Sequence, residues 1–287
     1  MWVLYAFGSA VFAGITSILA KIGIEDVNSN LATAIRTIVV LVFSWIMVFI
    51  VGSAGTIGAI TLKSLLFLIL SGMATGLSWI CYFRALQIGD VNKVVPIDKS
   101  SNVMTMILAF LILGESMTVT KVIGMIAIGI GTFMMIEKKD GEEKKTGSRY
   151  LIFAFGSAVF ASLTSILAKI GIENVESNLA TAIRTIVVLI MAWLIVLMQK
   201  KQKEINKINL KSWFFILLSG ITTGLSWICY YKALSDGQAS VVAPIDKLSL
   251  LISVGFAFVV FKEKLTKKSS LGLLILTLGT LVLLIKF

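Results

Sequence analysis

Residues Ala6-Phe7-Gly8-Ser9-Ala10-Val11-Phe12-Ala13 return unchanged as Ala154-Phe155-Gly156-Ser157-Ala158-Val159-Phe160-Ala161. The same offset of 148 carries Arg36 onto Arg184, Trp79 onto Trp227, Asp98 onto Asp246 and Glu115 onto Glu263, without a gap. Between Ala6 and Leu41 the copies differ only at Gly14/Ser162, Ile15/Leu163, Asp26/Asn174 and Asn28/Glu176. Two copies that align without a gap must fold as the same unit twice, so the architecture is constrained before any motif is considered.

What that unit is follows from its solvent. Hydrophobic residues make up 57% of the 287 and charged residues 14%, with a mean hydropathy of +0.97. Soluble domains carry about 25% charged residues. The apolar runs are about 20 residues long and continuous, which suits helices crossing a hydrocarbon core of about 30 Å and not an outer-membrane barrel. Spans are expected at 2–24, 31–51, 63–86, 94–113 and 119–136, and again at 150–172, 179–199, 211–234, 242–261 and 267–286. The start, Met1-Trp2-Val3-Leu4-Tyr5, lacks a basic region and a cleavage site, and is taken as the first span. The expected layout is a first repeat over 1–137, a charged linker over 138–149 and a second repeat over 150–287.

Five spans per copy is odd, so the second copy enters the membrane inverted. The expected fold is all-α, ten transmembrane helices in a 5+5 inverted-topology repeat, a plan common among secondary transporters. The charges agree with the inversion. Copy two carries Lys200, Lys201, Lys203, Lys207 and Lys211 after its second span and Lys262, Lys264, Lys267 and Lys268 after its fourth. The matching loops of copy one hold only Lys63 and Lys121. Of the 26 lysines and arginines, 19 fall on one face and 7 on the other. By the positive-inside rule the richer face is cytoplasmic and both termini lie outside. The net charge of +11 is read as topology and headgroup attraction, not as a nucleic-acid surface.

The absence of histidine removes histidine metal sites, Ser-His-Asp triads and histidine proton relays. Cys81 and Cys229 are repeat mates without metal-ligand spacing. We therefore expect no enzyme, no catalytic residue, no metal and no cofactor; an aspartyl mechanism on paired aspartates is the enzyme alternative still open. Proton chemistry, if present, falls to carboxylates.

Polar residues inside spans are the candidates for a pathway. In the third span Ser71, Thr75, Ser78 and Tyr82 share one helical face, beside Trp79, and copy two repeats this with Ser219, Thr223, Ser226, Tyr230 and Trp227. Such a stripe lines a wet cavity or serves close helix packing, the second favoured locally by Gly72 and Gly76. Arg36 and Arg184 lie inside the second spans, where a guanidinium must face protein, water or a substrate anion. Lys21 and Lys169, near span ends, are expected to snorkel or to pair with Glu25 and Glu173. Pro96-Ile97-Asp98-Lys99 and Pro244-Ile245-Asp246-Lys247 either begin a helix, with proline in its first turn, or break one at a polar cavity. Asp98 and Asp246 are the proton-coupling candidates, and Lys99, Lys247 and Asn102 adjoin them. Glu115 and Glu263 read as boundary anchors. Within this region the copies differ at Asn102/Leu250, Lys93/Val241, Ser100/Leu248 and Arg84/Lys232.

Taken in order, Arg84-Ala85-Leu86, Val94-Val95-Pro96-Ile97-Asp98-Lys99, Leu113-Gly114-Glu115 and Ile123-Gly124, with their counterparts from Lys232 to Gly272 and with Lys21…Arg36 upstream, resemble the EamA family of the drug/metabolite transporter superfamily. The resemblance covers the chain twice. It implies a multi-pass protein of the cytoplasmic membrane that moves a small-molecule substrate, usually outward. It also implies both termini in the cytoplasm, against the charge count, and a chain equivalent to a fused dimer of single-copy relatives. The function expected is a secondary active exporter of a small metabolite, an amino acid or drug-like compound, by alternating access. The alternative is a membrane assembly component that transports nothing.

Overall fold

The computed structural model describes residues 1–23, 27–88, 94, 97–135, 149–260 and 266–285. Copy one contains α1 (Trp2–Gly23), α2 (Ser29–Val51), α3 (Leu62–Ile88), α4 (Ser101–Leu113) and α5 (Val119–Met134). Copy two contains α6 (Arg149–Ile172), α7 (Ser177–Met198), α8 (Leu210–Asp236), α9 (Ala239–Asp246), α10 (Ser249–Val260) and α11 (Lys267–Val282). Among the described residues seven helical stretches are long and apolar enough to cross a membrane, and Val119–Met134 is a shorter apolar helix. The protein is all-α, with the ten-span 5+5 layout expected from the repeat.

The helices start where side chains accept the free amides of a first turn. Asn28 accepts from the amides of Asn30 and Leu31 at the head of α2, and Glu176 accepts from Asn178 and Leu179 at the head of α7. One of the few differences between the copies therefore preserves a cap. Thr118 and Thr266 cap α5 and α11 in the same paired way.

Every major packing pair joins one copy to the other: α1 lies on α8, α3 on α6, α2 on α7 and α5 on α11. The repeats are interleaved, as inverted copies around a common centre would be. Glycine sets the closest approaches. A Cβ at Gly131 would sit 2.6 Å from the Gly272 carbonyl, and one at Gly124 would sit 2.9 Å from the Gly279 carbonyl. The α5–α11 pair is thus crossed by glycines from both sides, the small-residue packing that membrane helices use. Gly72 meets Val187 and the Arg184 carbonyl on α7, and Gly76 meets Met191. The glycines of α3 therefore serve packing on α7, while its hydroxyl stripe faces α6: Ser71 Oγ donates to the Thr164 carbonyl at 2.7 Å and Ser78 Oγ to the Ser157 carbonyl at 3.1 Å. The hydroxyls cited here thus serve helix contacts too.

The outside is apolar. Phe49, Ile50, Ile126, Phe133, Phe155, Ile190 and Leu278 are exposed, as lipid-facing residues would be, whereas Ser9, Ser71, Ser157, Thr185 and Arg184 are buried.

The fourth span of copy two is broken. Pro244 lies within α9, not in its first turn, and the break follows Asp246. There the amides of Lys247, Leu248, Leu250 and Leu251 bond three residues back, to Pro244, Ile245, Lys247 and Leu248. In this tighter winding each amide reaches only the third carbonyl back. Copy one shows the same step, with the Ser100 amide bonding the Ile97 carbonyl at 3.2 Å. Pro96 and Lys93 lie outside the described residues, as do Glu25, Glu263 and the linker over 138–148.

Candidate functional site

A cavity of about 550 Å³ lies between the copies, lined by residues from both. Of the eleven candidates from the sequence, it brings together Arg36, Trp79, Asn102, Arg184, Trp227, Tyr230, Asp246 and Lys247. Tyr82, Asp98 and Lys99 are not among its lining residues. Tyr82 packs instead with Ala85, Val94, Ala154 and Ile97.

The two aspartates sit in matching frames. Ser9 Oγ donates to Asp246 Oδ1 at 2.6 Å, and Ser157 Oγ donates to Asp98 Oδ1 at 2.6 Å. Lys247 Nζ lies 3.7 Å from Asp246 and Lys99 Nζ 4.0 Å from Asp98. Each serine belongs to the first span of the other copy. Ser9 also lies 3.2 Å from Ser226, and Ser157 lies 3.4 Å from Ser78. Each carboxylate is therefore held by a hydroxyl and faced by an ammonium, and only Asp246 also reaches the cavity.

The arginines do not match. Arg184 is 1% exposed. Its Nε donates to Ser71 Oγ at 2.8 Å and its Nη2 to Thr75 Oγ1 at 2.5 Å. Its guanidinium carbon lies 5.4 Å from the Trp227 ring centre and 4.7 Å from that of Tyr231. An arginine at mid-bilayer costs about 2.5–3.5 kcal/mol on insertion scales, and hydroxyls and aromatic faces offset that cost. The neighbours Thr181 and Thr185 take no part; their hydroxyls donate to the carbonyls of Ser177 and Thr181 in their own helix. Arg36 is half-buried, lines the cavity, and makes no hydrogen bond or ion pair among the described residues.

The same contrast runs through other repeat mates. Ser17 is exposed and Ser165 half-buried, and Ala20 lines the cavity while Ala168 is 0% exposed. Lys169 Nζ donates to the carbonyls of Leu234, Ser235 and Gly237 at 2.5, 3.0 and 2.7 Å, closing over the end of α8. It neither snorkels nor pairs with Glu173. The cavity thus reaches toward the end where α1 passes to α2, and is shut where α6 passes to α7.

A latch lies at the shut end. Glu115 accepts from the amides of Ala239 and Ser240 at 2.6 and 3.1 Å and from the Ser240 hydroxyl, so it caps α9 across the copy boundary. A carboxylate there meets the positive end of the helix as well as its free amides. Lys121 Nζ donates to Gln238 Oε1 at 2.6 Å and to the Ser116 carbonyl at 2.9 Å. The ring of Trp2 packs on Gly237, within 2.9 Å of where a Cβ would stand. Glu115 is an anchor as expected from the sequence, but its partner is 124 residues away. A second cavity of about 610 Å³ lies at this latch, lined by Trp2, Glu115, Lys169, Glu173, Asp236 and Gln238 among others.

Sequence reasoning missed Tyr231 and the hydroxyls of Thr16, Ser17, Thr164 and Ser165, which also line the central cavity. Tyr231 had a signal: its repeat mate is Phe83, a difference that directly follows eight residues identical between the copies. Asn102, 5% exposed and facing the cavity, replaces a leucine at position 250 that packs on the core. Of the described differences between copies considered above, Ser100 and Leu248, Arg84 and Lys232 and Val241 do not line it. Among the described residues no group of three or more carboxylate or thiol side chains is placed to hold a metal.

Comparisons with known proteins agree with this layout. A 134-residue stretch is 41% identical to an "uncharacterized transporter in cobO 3′ region" of Sinorhizobium sp., covering 47% of this chain and 95% of that one. Another, of 126 residues, is 29% identical to an uncharacterised protein of Methanocaldococcus jannaschii, covering 44% and 89% respectively. Both relatives are thus about one repeat long. A solved crystal structure shares the fold at a TM-score of 0.79 with 14% identity, over 98% of this chain and 95% of that one. The profile of the EamA-like transporter family matches residues 1–137 and matches again over 148–285. With both repeats matched and a cavity shared between them, the chain belongs to the EamA-like transporter family.

Proposed function

We propose that this membrane transporter is a secondary active exporter of a small metabolite, an amino acid or drug-like compound, across the cytoplasmic membrane. The observation that carries the reading is the one-ended cavity. Both copies of the repeat line it, yet Arg36 and Ala20 face it where their repeat mates Arg184 and Ala168 are clamped and closed off. Sequence-equivalent halves in different environments describe one of two exchangeable states, which is how inverted repeats give alternating access. The latch of Glu115, Lys121 and Lys169 is the closed gate of this state. In the opposite state the pathway opens there and the matching end of copy one closes. Asp98 and Asp246 are the proton-coupling pair in this reading, because each is a carboxylate held between a hydroxyl and an ammonium at a break in the fourth span. Arg36, Trp79, Asn102, Trp227, Tyr230 and Lys247 contact the substrate, with Arg184 in the wall; Tyr82 and Lys99 support the frame around Asp98.

Metabolite profiles of cells with and without the protein identify a compound whose external level rises on expression. Saturable flux of that compound into liposomes containing the purified protein is the expected result. A phenotype that depends on a partner protein, with no flux in liposomes, makes the chain an assembly component instead.

A further inference from the structure

We infer that the ligand of the central cavity carries an anionic group, and that in this state the group docks on Arg36. The inference rests on the reading of the cavity as a transport site, and it names the class of substrate.

Three observations converge. The charged side chains among the described lining residues are Arg36, Arg184, Lys247 and Asp246, three cations against one carboxylate. Asp246 is already matched, by Lys247 at 3.7 Å and by the Ser9 hydroxyl at 2.6 Å. That leaves two guanidinium groups facing one cavity with no counter-charge among the described residues. In a low-dielectric interior such an excess attracts an anion far more strongly than it would in water.

The second observation separates the two arginines. Arg184 bonds Ser71 and Thr75, yet its Nη1 is buried without a hydrogen-bond partner. The fold can build the same clamp for Arg36, since Ser219 and Thr223 are the repeat mates of Ser71 and Thr75, and Gly220 brings α8 against the Arg36 backbone. The clamp is not made. Ser219 Oγ donates to the Ile216 carbonyl of its own helix at 2.7 Å, where Ser71 Oγ crosses to the Thr164 carbonyl; Thr223, like Thr75, donates to the carbonyl four residues back. The free fork of Arg36 offers paired N–H donors, the geometry that binds a carboxylate in two places.

The third observation is the wall beside it. Trp79 and Trp227, repeat mates, both line the cavity, so an apolar ring fits beside the charged group. When the halves exchange, Arg36 gains the hydroxyl clamp and Arg184 loses it, which passes the anion from one guanidinium to the other. The exchange is not fully symmetric, because Phe83 replaces Tyr231.

The test uses purified full-length protein and three probes of one shape: benzoate, benzamide and benzylammonium. Tryptophan fluorescence and thermal shift are read for wild type, Arg36→Gln and Arg36→Lys. Benzoate is expected to bind wild type, with benzamide and benzylammonium weaker by about 10-fold or more. Arg36→Gln should weaken benzoate by about 10- to 100-fold, the loss of a charged hydrogen-bonding partner, and Arg36→Lys should restore part of it. Should Arg36→Gln fail to fold, wild type decides: phenylglyoxal should modify Arg36 faster than Arg184, and benzoate should protect Arg36. Absence of benzoate binding overturns the inference. So does equal binding of benzamide, unaltered benzoate binding by a folded Arg36→Gln, or faster modification of Arg184. Benzoate binding without flux of any metabolite would sink the transport reading and leave the anion site standing; flux of a neutral or cationic compound, with no anion binding, would do the reverse.

Discussion

Replacing Glu115 by glutamine should open the shut end of the cavity. The carboxylate accepts two amides and a hydroxyl at the head of α9, and among the described residues no other side chain caps that helix. Hydrogen bonds to a charged group contribute about 1.5–3 kcal/mol net, and the helix dipole adds about 0.3–1 kcal/mol. Glutamine keeps one neutral acceptor and loses the charge. Because Glu115 is half-buried, the lower ends apply, giving a loss of about 2 kcal/mol. A contact made in only one of two states shifts their ratio by its own free energy, here about 30-fold. The assay places a single cysteine at Ser165, with Cys81 and Cys229 replaced by alanine, and adds an impermeant maleimide to either side of sealed vesicles. In the parent protein, labelling from the latch side is slow. Glu115→Gln should accelerate it up to about 30-fold, with labelling from the other side reduced or unchanged. Unchanged labelling from the latch side, in protein with a normal Tm, would refute the gate.

Three further outcomes follow from the same geometry. Gly131→Ala should lower Tm or prevent folding, at a cost of about 1–3 kcal/mol, because its Cβ would lie 2.6 Å from the Gly272 carbonyl; Gly129→Ala, whose Cβ would meet only Val103 Cγ2 at 3.6 Å, should be neutral. Asp98→Asn with Asp246→Asn should abolish flux driven by a pH gradient while leaving Tm within a few degrees; unchanged flux removes the aspartates from coupling. Reporters fused beside Gly141 and at Phe287 should report opposite faces of the membrane, and reporters on the same face would rule out five spans in the second half.

The duplication made the span count, the inversion and the pairing of candidate residues legible, because each rests on hydropathy, spacing or identity between copies. The environments of those residues were not legible. Ala34-Ile35-Arg36-Thr37 and Ala182-Ile183-Arg184-Thr185 are the same four residues, yet one arginine is clamped and the other is free. No local pattern can say which, since the difference belongs to the state of the whole molecule. The neighbouring threonines were adjacent in sequence but bond their own helix, and the groups that hold Arg184 come from α3. Lys169 was misassigned for a related reason: carbonyls at the end of α8 are 65 or more residues away, and no side-chain pattern announces them. Glu115 shows the limit from the other direction. Its position at a span end was readable, but its role depends on α9 beginning at Ala239 without a side-chain cap of its own.

Counterflow tests the central claim most directly. Liposomes containing the protein are preloaded with the unlabelled substrate and diluted into a trace of labelled substrate. Exchange of two inverted halves around one cavity predicts that preloading accelerates uptake and transiently concentrates the label inside. Uptake that is the same with and without preloading would contradict alternating access, and no uptake by either set would contradict transport.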